Sequence, residues 1–346
     1  MTRVRSALPA VGRTSSRHGR TLCGPCQRHR RVRFVRSAIL LAVIDQALLG
    51  QWCSRQLGDG LLSVLFRSGH LSEVVGVQLV SGRRVVIKAR PYEMRLVGCL
   101  SVQRHLAGAG FPCPEPLTAV TRVGALAVTA ETALLGGSQL SPEHGAAPFA
   151  ALLARLIGGA PAPSGTPPLA PSPPWAAWDH PGPLLWPVPD EEGRDLNEMN
   201  APKWVDAAAR RVRDRLTNAR ARVCVGHGDW ESQNILWADG LPLAVHDWDS
   251  VIAQPEASIV GLAAAVWPAM GAPGGAASVS QTSDFLACYQ QASGRPWGRS
   301  EVQDAWAAGL WVRLFNARKD AAVGGGPQLD RLQDEVGERL ACAALD

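Results

Sequence analysis

β-Branched residues at Val74, Val75, Val77, Val85, Val86 and Ile87 fall into two runs, 73–80 and 84–89, separated by Ser81-Gly82. Two such runs about a Ser-Gly turn predict a hairpin of antiparallel strands. Apolar residues then recur at helical spacing over 92–107, and Gly110-Phe111-Pro112-Cys113-Pro114 ends that helix, because proline has no amide hydrogen to continue it. A further strand is expected over 125–130, followed by a connection over 131–137. Beyond residue 148 the pattern is mainly helical, with helices expected over 149–157, 201–219, 255–266, 283–291, 301–319 and 328–343. One interruption stands out: Ile235-Leu236-Trp237 and Leu243-Ala244-Val245 flank Asp239-Gly240, the signature of a tight hairpin.

Strands early and helices late predict an α+β architecture, and 346 residues suffice for two lobes. Residues 158–189 hold 11 of the 26 prolines, so this stretch is expected to be a long connection, with Trp175, Trp178 and Trp186 packing it onto the helical lobe. The apolar run 38–49 is broken by Asp45 and Gln46 and reads as an amphipathic helix. Nowhere do about 18 apolar residues follow one another, which argues against a membrane-spanning segment.

The chemistry concentrates around the second hairpin. His227-Gly228-Asp229 precedes Asn234-Ile235-Leu236, and Asp247-Trp248-Asp249 follows the return strand. Moving the γ-phosphoryl of a nucleotide requires a carboxylate that orients the attacking hydroxyl, with an amide and a second carboxylate to hold Mg²⁺ on the phosphates. Asp229, Asn234 and Asp247 supply those three groups in order, and the hairpin brings them together. The segment resembles the aminoglycoside phosphotransferase and choline kinase family, whose members read roughly H-G-D-x-x-x-x-N-[IV]-L and then D-[WF]-[DE].

That resemblance implies a protein-kinase-like two-lobed fold. It would consist of a small antiparallel-sheet N-lobe over 37–130, a hinge over 131–137, and a mainly helical C-lobe over 138–346 that carries the proline-rich insertion. It implies ATP and Mg²⁺ as cofactors and a small hydroxylated molecule as acceptor. Asp229 would be the catalytic base, Asn234 and Asp247 the metal ligands, His227 a support of the loop, and Asp249 an auxiliary group near the metal. Lys88, at the end of Val85-Val86-Ile87, resembles the third-strand lysine that reaches the α- and β-phosphates. Only three lysines occur in the chain against 32 arginines, which makes a lysine at this place notable. Ser68-Gly69-His70-Leu71-Ser72, ahead of that hairpin, is expected to lay backbone amides over the phosphates, with Ser68, Gly69 and Ser72 as its polar and flexible members. The helix glutamate that normally pairs with the lysine is out of place: positions 99–103 carry none, and Glu93, near the start of the predicted helix, is the favoured substitute.

The net charge of +5 is unevenly spread, since residues 1–36 contain ten arginines and no acid. This stretch reads as a disordered tail or as a start placed too far upstream, and nucleic-acid binding is the weaker reading. Eight cysteines are scattered with no disulfide framework, as expected of a cytoplasmic protein, and Cys23-Gly24-Pro25-Cys26 reads as incidental. An aminoglycoside-like acceptor is favoured, with Glu231, Glu256 and Asp284 as candidate carboxylates for a polycation. Homoserine, choline and macrolide kinases share the family, and a nucleotide-binding regulatory module without catalysis is the rival class. No G-x-x-x-x-G-K-[ST] occurs, which sets aside a P-loop enzyme.

Overall fold

The computed structural model describes residues 44–69, 72–190, 192–219, 221–271 and 275–346. The arginine-rich stretch 1–36, the Cys23-Cys26 pair, the first half of the run 38–49 and His70-Leu71 lie outside the described residues.

Helix α1 (Gln46–Leu57) starts at Asp45, whose carboxylate accepts a hydrogen bond from the Leu48 amide at 2.8 Å. The acid that broke the apolar run is therefore the helix cap, so the helix runs later than the expected 38–49. Five antiparallel strands follow: β1 (Leu61–Ser68), β2 (Glu73–Leu79), β3 (Arg84–Pro91), β4 (Thr121–Val123) and β5 (Leu126–Thr132), in the order β1-β2-β3-β5-β4. Alternation gives the sheet two distinct faces. Val75, Val77, Leu79, Val85, Ile87, Val128 and Ala130 are buried on the outer face against Leu49, Trp52 and Cys53 of α1. The other face carries Lys88, Arg90, Thr129 and Glu131. Strand β1 escapes prediction because it is an edge strand with two register irregularities, which destroy its alternation.

Helix α2 (Arg95–Gly108) begins three residues later than expected. The Tyr92 amide still donates to the Ala125 carbonyl at 2.9 Å, so the chain there remains tied to the sheet. Strand β5 extends beyond 130, since Glu131 pairs with Val86 and Thr132 with Val85. Glu131 is thus a sheet residue rather than the first residue of a connection.

The rest of the chain builds the helical lobe around a short strand β6 (Ser138–Gln139), α3 (Ala147–Gly159), α4 (Lys203–Asn218), β7 (Val223–His227), β8 (Ile235–Ala238), β9 (Leu241–Val245) and β10 (Val251–Pro255). Helices α5 (Glu256–Val266), α6 (Val279–Ser293), α7 (Arg299–Ala322) and α8 (Pro327–Cys342) complete it. Every residue of α5 from Ala257 to Val266 is buried, which explains its unbroken apolar sequence.

The proline-rich stretch forms single 3₁₀ turns, and its three indoles all donate hydrogen bonds to the helical lobe: Trp175 to the Gly228 carbonyl at 3.0 Å, Trp178 to Gln254 at 3.1 Å and Trp186 to Asp206 at 2.9 Å. It also crosses α2. A Cβ on Gly98 would come within 2.6 Å of the Pro167 carbonyl and 2.7 Å of that of Pro168, so only glycine admits this crossing.

Candidate active site

Strand β7 runs antiparallel to β10, with His227 opposite Val251. The Gly228 amide donates to the Ser250 carbonyl at 2.7 Å, and the chain then leaves the ladder as a loop. His227 is wholly buried, edge-on to Trp230 and Trp248. Its Nε2 lies 3.1 Å from the His246 carbonyl and its Nδ1 accepts from the Asp229 amide at 3.2 Å. Those two bonds suit a neutral ring with the proton on Nε2, and burial lowers its pKa in the same sense. His227 thereby fixes the backbone at Asp229.

Asn234 closes the loop. Its Nδ2 donates to Asp229 Oδ2 at 2.9 Å and to the Asp229 carbonyl at 3.1 Å. The hairpin of β8 and β9, turning through Asp239 and Gly240 at φ 51° and 76°, brings the chain back so that the His246 amide donates to the Asn234 carbonyl at 2.8 Å. Asp247 follows in the left-handed region, φ 63°. That conformation is uncommon for a residue with a side chain, and such residues cluster at functional sites. Ser250 holds it there, its amide donating to the Asp247 carbonyl at 2.9 Å and its hydroxyl to Oδ2 at 3.2 Å.

Across the cleft, the strand register aligns Ser68, Val74, Lys88 and Thr129 in one row. The tip of the β1–β2 hairpin is therefore on the same line as Lys88, about 10 Å away by strand spacing. Gly69, at φ 130°, is required at that tip, since a Cβ would meet the Ser72 carbonyl at 1.7 Å. Lys88 Nζ pairs with Glu131 Oε1 at 3.0 Å, not with Glu93. Glu93 lies exposed ahead of α2, because that helix starts only at Arg95. The expected substitute is therefore corrected: the lysine's carboxylate comes from β5. The signal available in the sequence was the alternation itself, which puts Thr129 and Glu131 on one strand face.

Sequence reasoning also missed two arginines. Arg90 forms an ion pair with Asp249. Arg95, buried, donates to the carbonyls of Asp249 at 2.5 Å, Val251 at 2.7 Å and Leu169 at 3.3 Å, so α2 is tied both to the segment after Asp247 and to the proline-rich stretch. Burial lowers the pKa of His246, and the charge of Lys88 lowers it further. Burial pushes Glu231 up to about 7, with Asp247 adding to the rise. Glu256 is engaged by Arg295 at 3.1 Å and by the Tyr289 hydroxyl at 2.9 Å, and Asp284 is exposed on α6. Of the three acceptor candidates, only Glu231 belongs to the loop that carries Asp229.

No three His, Cys, Asp or Glu side chains converge on one point among the described residues. Asn234 and Asp247 offer hard oxygen donors, an amide and a carboxylate. This set fits a Mg²⁺-like ion, which typically takes one or two carboxylates and completes its shell with phosphate oxygens and water.

The profile of the phosphotransferase enzyme family matches residues 64–270, from β1 to the end of α5 and just beyond. The chain belongs to this family and is a phosphotransferase. Among solved structures, an amicoumacin kinase in complex with AMP-PNP and Ca²⁺ superposes with a TM-score of 0.61 at 11% identity, over 87% of this chain and 96% of that one, which shows a shared fold. A fructosamine-3-kinase-like protein from Thermobifida fusca follows at TM-score 0.49, 16% identity, and 85% and 98% coverage. A thermostable mutant of aminoglycoside phosphotransferase APH(4)-Ia gives 0.47, 16%, and 86% and 97%. No curated protein sequence matches the chain.

Proposed function

We propose that the protein is an ATP-dependent O-phosphotransferase whose favoured acceptor is aminoglycoside-like. The nucleotide lies in the cleft between the inner face of the sheet and the Asp229 loop, with its phosphates towards Lys88 and beneath the turn at Ser68, Gly69 and Ser72. Asp229 accepts a hydrogen bond from the acceptor hydroxyl and takes its proton as the oxygen attacks phosphorus. Asn234 holds the carboxylate of Asp229 in place through Nδ2, and its Oδ1, together with Asp247, would hold Mg²⁺. When bound, that ion neutralises the phosphate oxygens. Lys88 adds a point charge on the same oxygens. His227 orients the loop and takes no proton from the substrate.

The observation that carries this reading is the bond from Asn234 to Asp229 at 2.9 Å, since it joins the base and a metal-ligating amide in one loop. Glu231, on the same loop and with no ion pair to a cation among the described residues, supports an acceptor that brings its own ammonium group. The test is ADP release from Mg-ATP across aminoglycosides, macrolides, choline and homoserine, with Asp229→Ala alongside. The reading expects release that depends on an amine-bearing acceptor and vanishes in the variant. Release independent of acceptor, or unchanged by Asp229→Ala, contradicts it.

A further inference from the structure

Lys88 and Glu131 stand diagonally on adjacent antiparallel strands, because Lys88 is opposite Thr129 and Val86 opposite Glu131. Their side chains share the inner face and meet at 3.0 Å. Glu131 is almost fully buried, at 6% exposure, so its carboxylate has little access to water and needs protein partners. The second oxygen is held by α2: Gln103 Nε2 donates to Glu131 Oε2 at 3.0 Å and also to the Pro114 carbonyl at 2.9 Å. Gln103 is itself buried, at 3%. Each carboxylate oxygen thus has one partner, a lysine on one side and a glutamine on the other. Helix α2, where a carboxylate would be expected, contributes the neutral amide and no acid.

The helix is also pinned by groups that leave it little freedom to approach or leave the lysine. Arg95 grips the carbonyls of Asp249, Val251 and Leu169, and the proline-rich stretch lies directly on Gly98. The carboxylate that holds the lysine is on the sheet itself, and α2 contributes only the amide of Gln103 to it.

We infer that Glu131 is the positioning residue of Lys88, with Gln103 as its clamp, so that the lysine is aimed at the phosphates by the sheet rather than by helix α2. The inference rests on the phosphotransferase reading for its purpose, though the pairing can be tested without turnover. It predicts that Glu131→Gln removes the ion pair that tethers the Lys88 amine, so that the amine is released from the sheet and is acylated faster.

The experiment treats the full chain with a lysine-selective acylating ester in the absence of nucleotide, and quantifies each modified lysine by peptide mass spectrometry. Lys203 and Lys319 serve as internal standards, since these are the only other lysines. Mg-ATP affinity is measured on the same proteins by calorimetry. Glu131→Gln is expected to raise Lys88 acylation several-fold relative to the standards and to weaken Mg-ATP binding about tenfold. Gln103→Leu, which keeps the carboxylate but removes its clamp, is expected to shift both in the same direction by less, and serves in its place should Glu131→Gln not fold. The double variant Glu131→Gln/Gln103→Glu returns a negative charge to the cluster from the helix side and should recover part of the ATP affinity. Glu93→Gln should change neither readout. Unchanged Lys88 acylation in both Glu131→Gln and Gln103→Leu, or a shift produced by Glu93→Gln, overturns the inference. Altered acylation in a protein that binds no Mg-ATP even as wild type would uphold the pairing and sink the phosphotransferase reading instead.

Discussion

Arg90, two residues beyond Lys88 on β3, forms an ion pair with Asp249, two residues beyond Asp247. The strand that carries Lys88 is therefore linked to the segment that carries Asp247. Burial lowers the pKa of Arg90, with the charge of Asp247 partly opposing it. Removing one partner leaves the other facing a poorly hydrated site. Asp249→Asn is expected to cost about 2 kcal/mol of stability, discounted for the partial exposure of the carboxylate. Adding Arg90→Met to that variant should recover part of the loss. Denaturant melts of the two single variants and the double variant read the coupling directly, and strictly additive costs would show that the pair is not coupled.

The proline-rich stretch constrains α2 through Gly98. Gly98→Ala drives a methyl group into the carbonyls of Pro167 and Pro168 and should cost about 2 kcal/mol by overpacking. At Gly108, at the end of the same helix, an added methyl group would meet nothing within 4 Å beyond its own helix, so Gly108→Ala should be neutral or slightly stabilising. Thermal melts of the two variants should move in opposite directions or differ clearly in size. Equal shifts would mean that the crossing at Gly98 carries no special constraint.

His227 gives a pH dependence whose sign is fixed by its burial. Its folded pKa lies below the ordinary histidine value, so below about 6.5 the unfolded chain binds a proton that the native site resists. The stability contributed by the neutral ring is present above that range and declines as the pH falls through it. The stability advantage of wild type over His227→Gln should therefore shrink between about pH 7 and about pH 5. A difference that stays constant, or that grows on acidification, would exclude the neutral buried ring.

Much of the candidate site was legible in the sequence because its residues flank one short hairpin. Asp229, Asn234 and Asp247 are separated by residues whose alternation and Asp239-Gly240 turn fix the geometry locally. The residues that escaped are those whose partners are set by register and by packing between distant segments. Glu131 looked like a connection residue because nothing in its neighbourhood signals where β5 stops, and its pairing with Val86 decides that. Arg90 and Arg95 are two arginines among 32, and only the folded chain shows that they meet Asp249, more than 150 positions away. Strand β1 went unread since an irregular edge strand has no alternating pattern to find.

The most direct test of the proposed phosphoryl transfer is to isolate the modified acceptor. The protein is incubated with Mg-ATP labelled at the γ-phosphorus and with an aminoglycoside, and the acceptor is isolated and examined by ³¹P NMR for a phosphate ester. Wild type should give a labelled ester on one hydroxyl, and Asp229→Asn none although that variant still binds Mg-ATP. Label recovered only as free phosphate, or an ester formed equally well by Asp229→Asn, would contradict it.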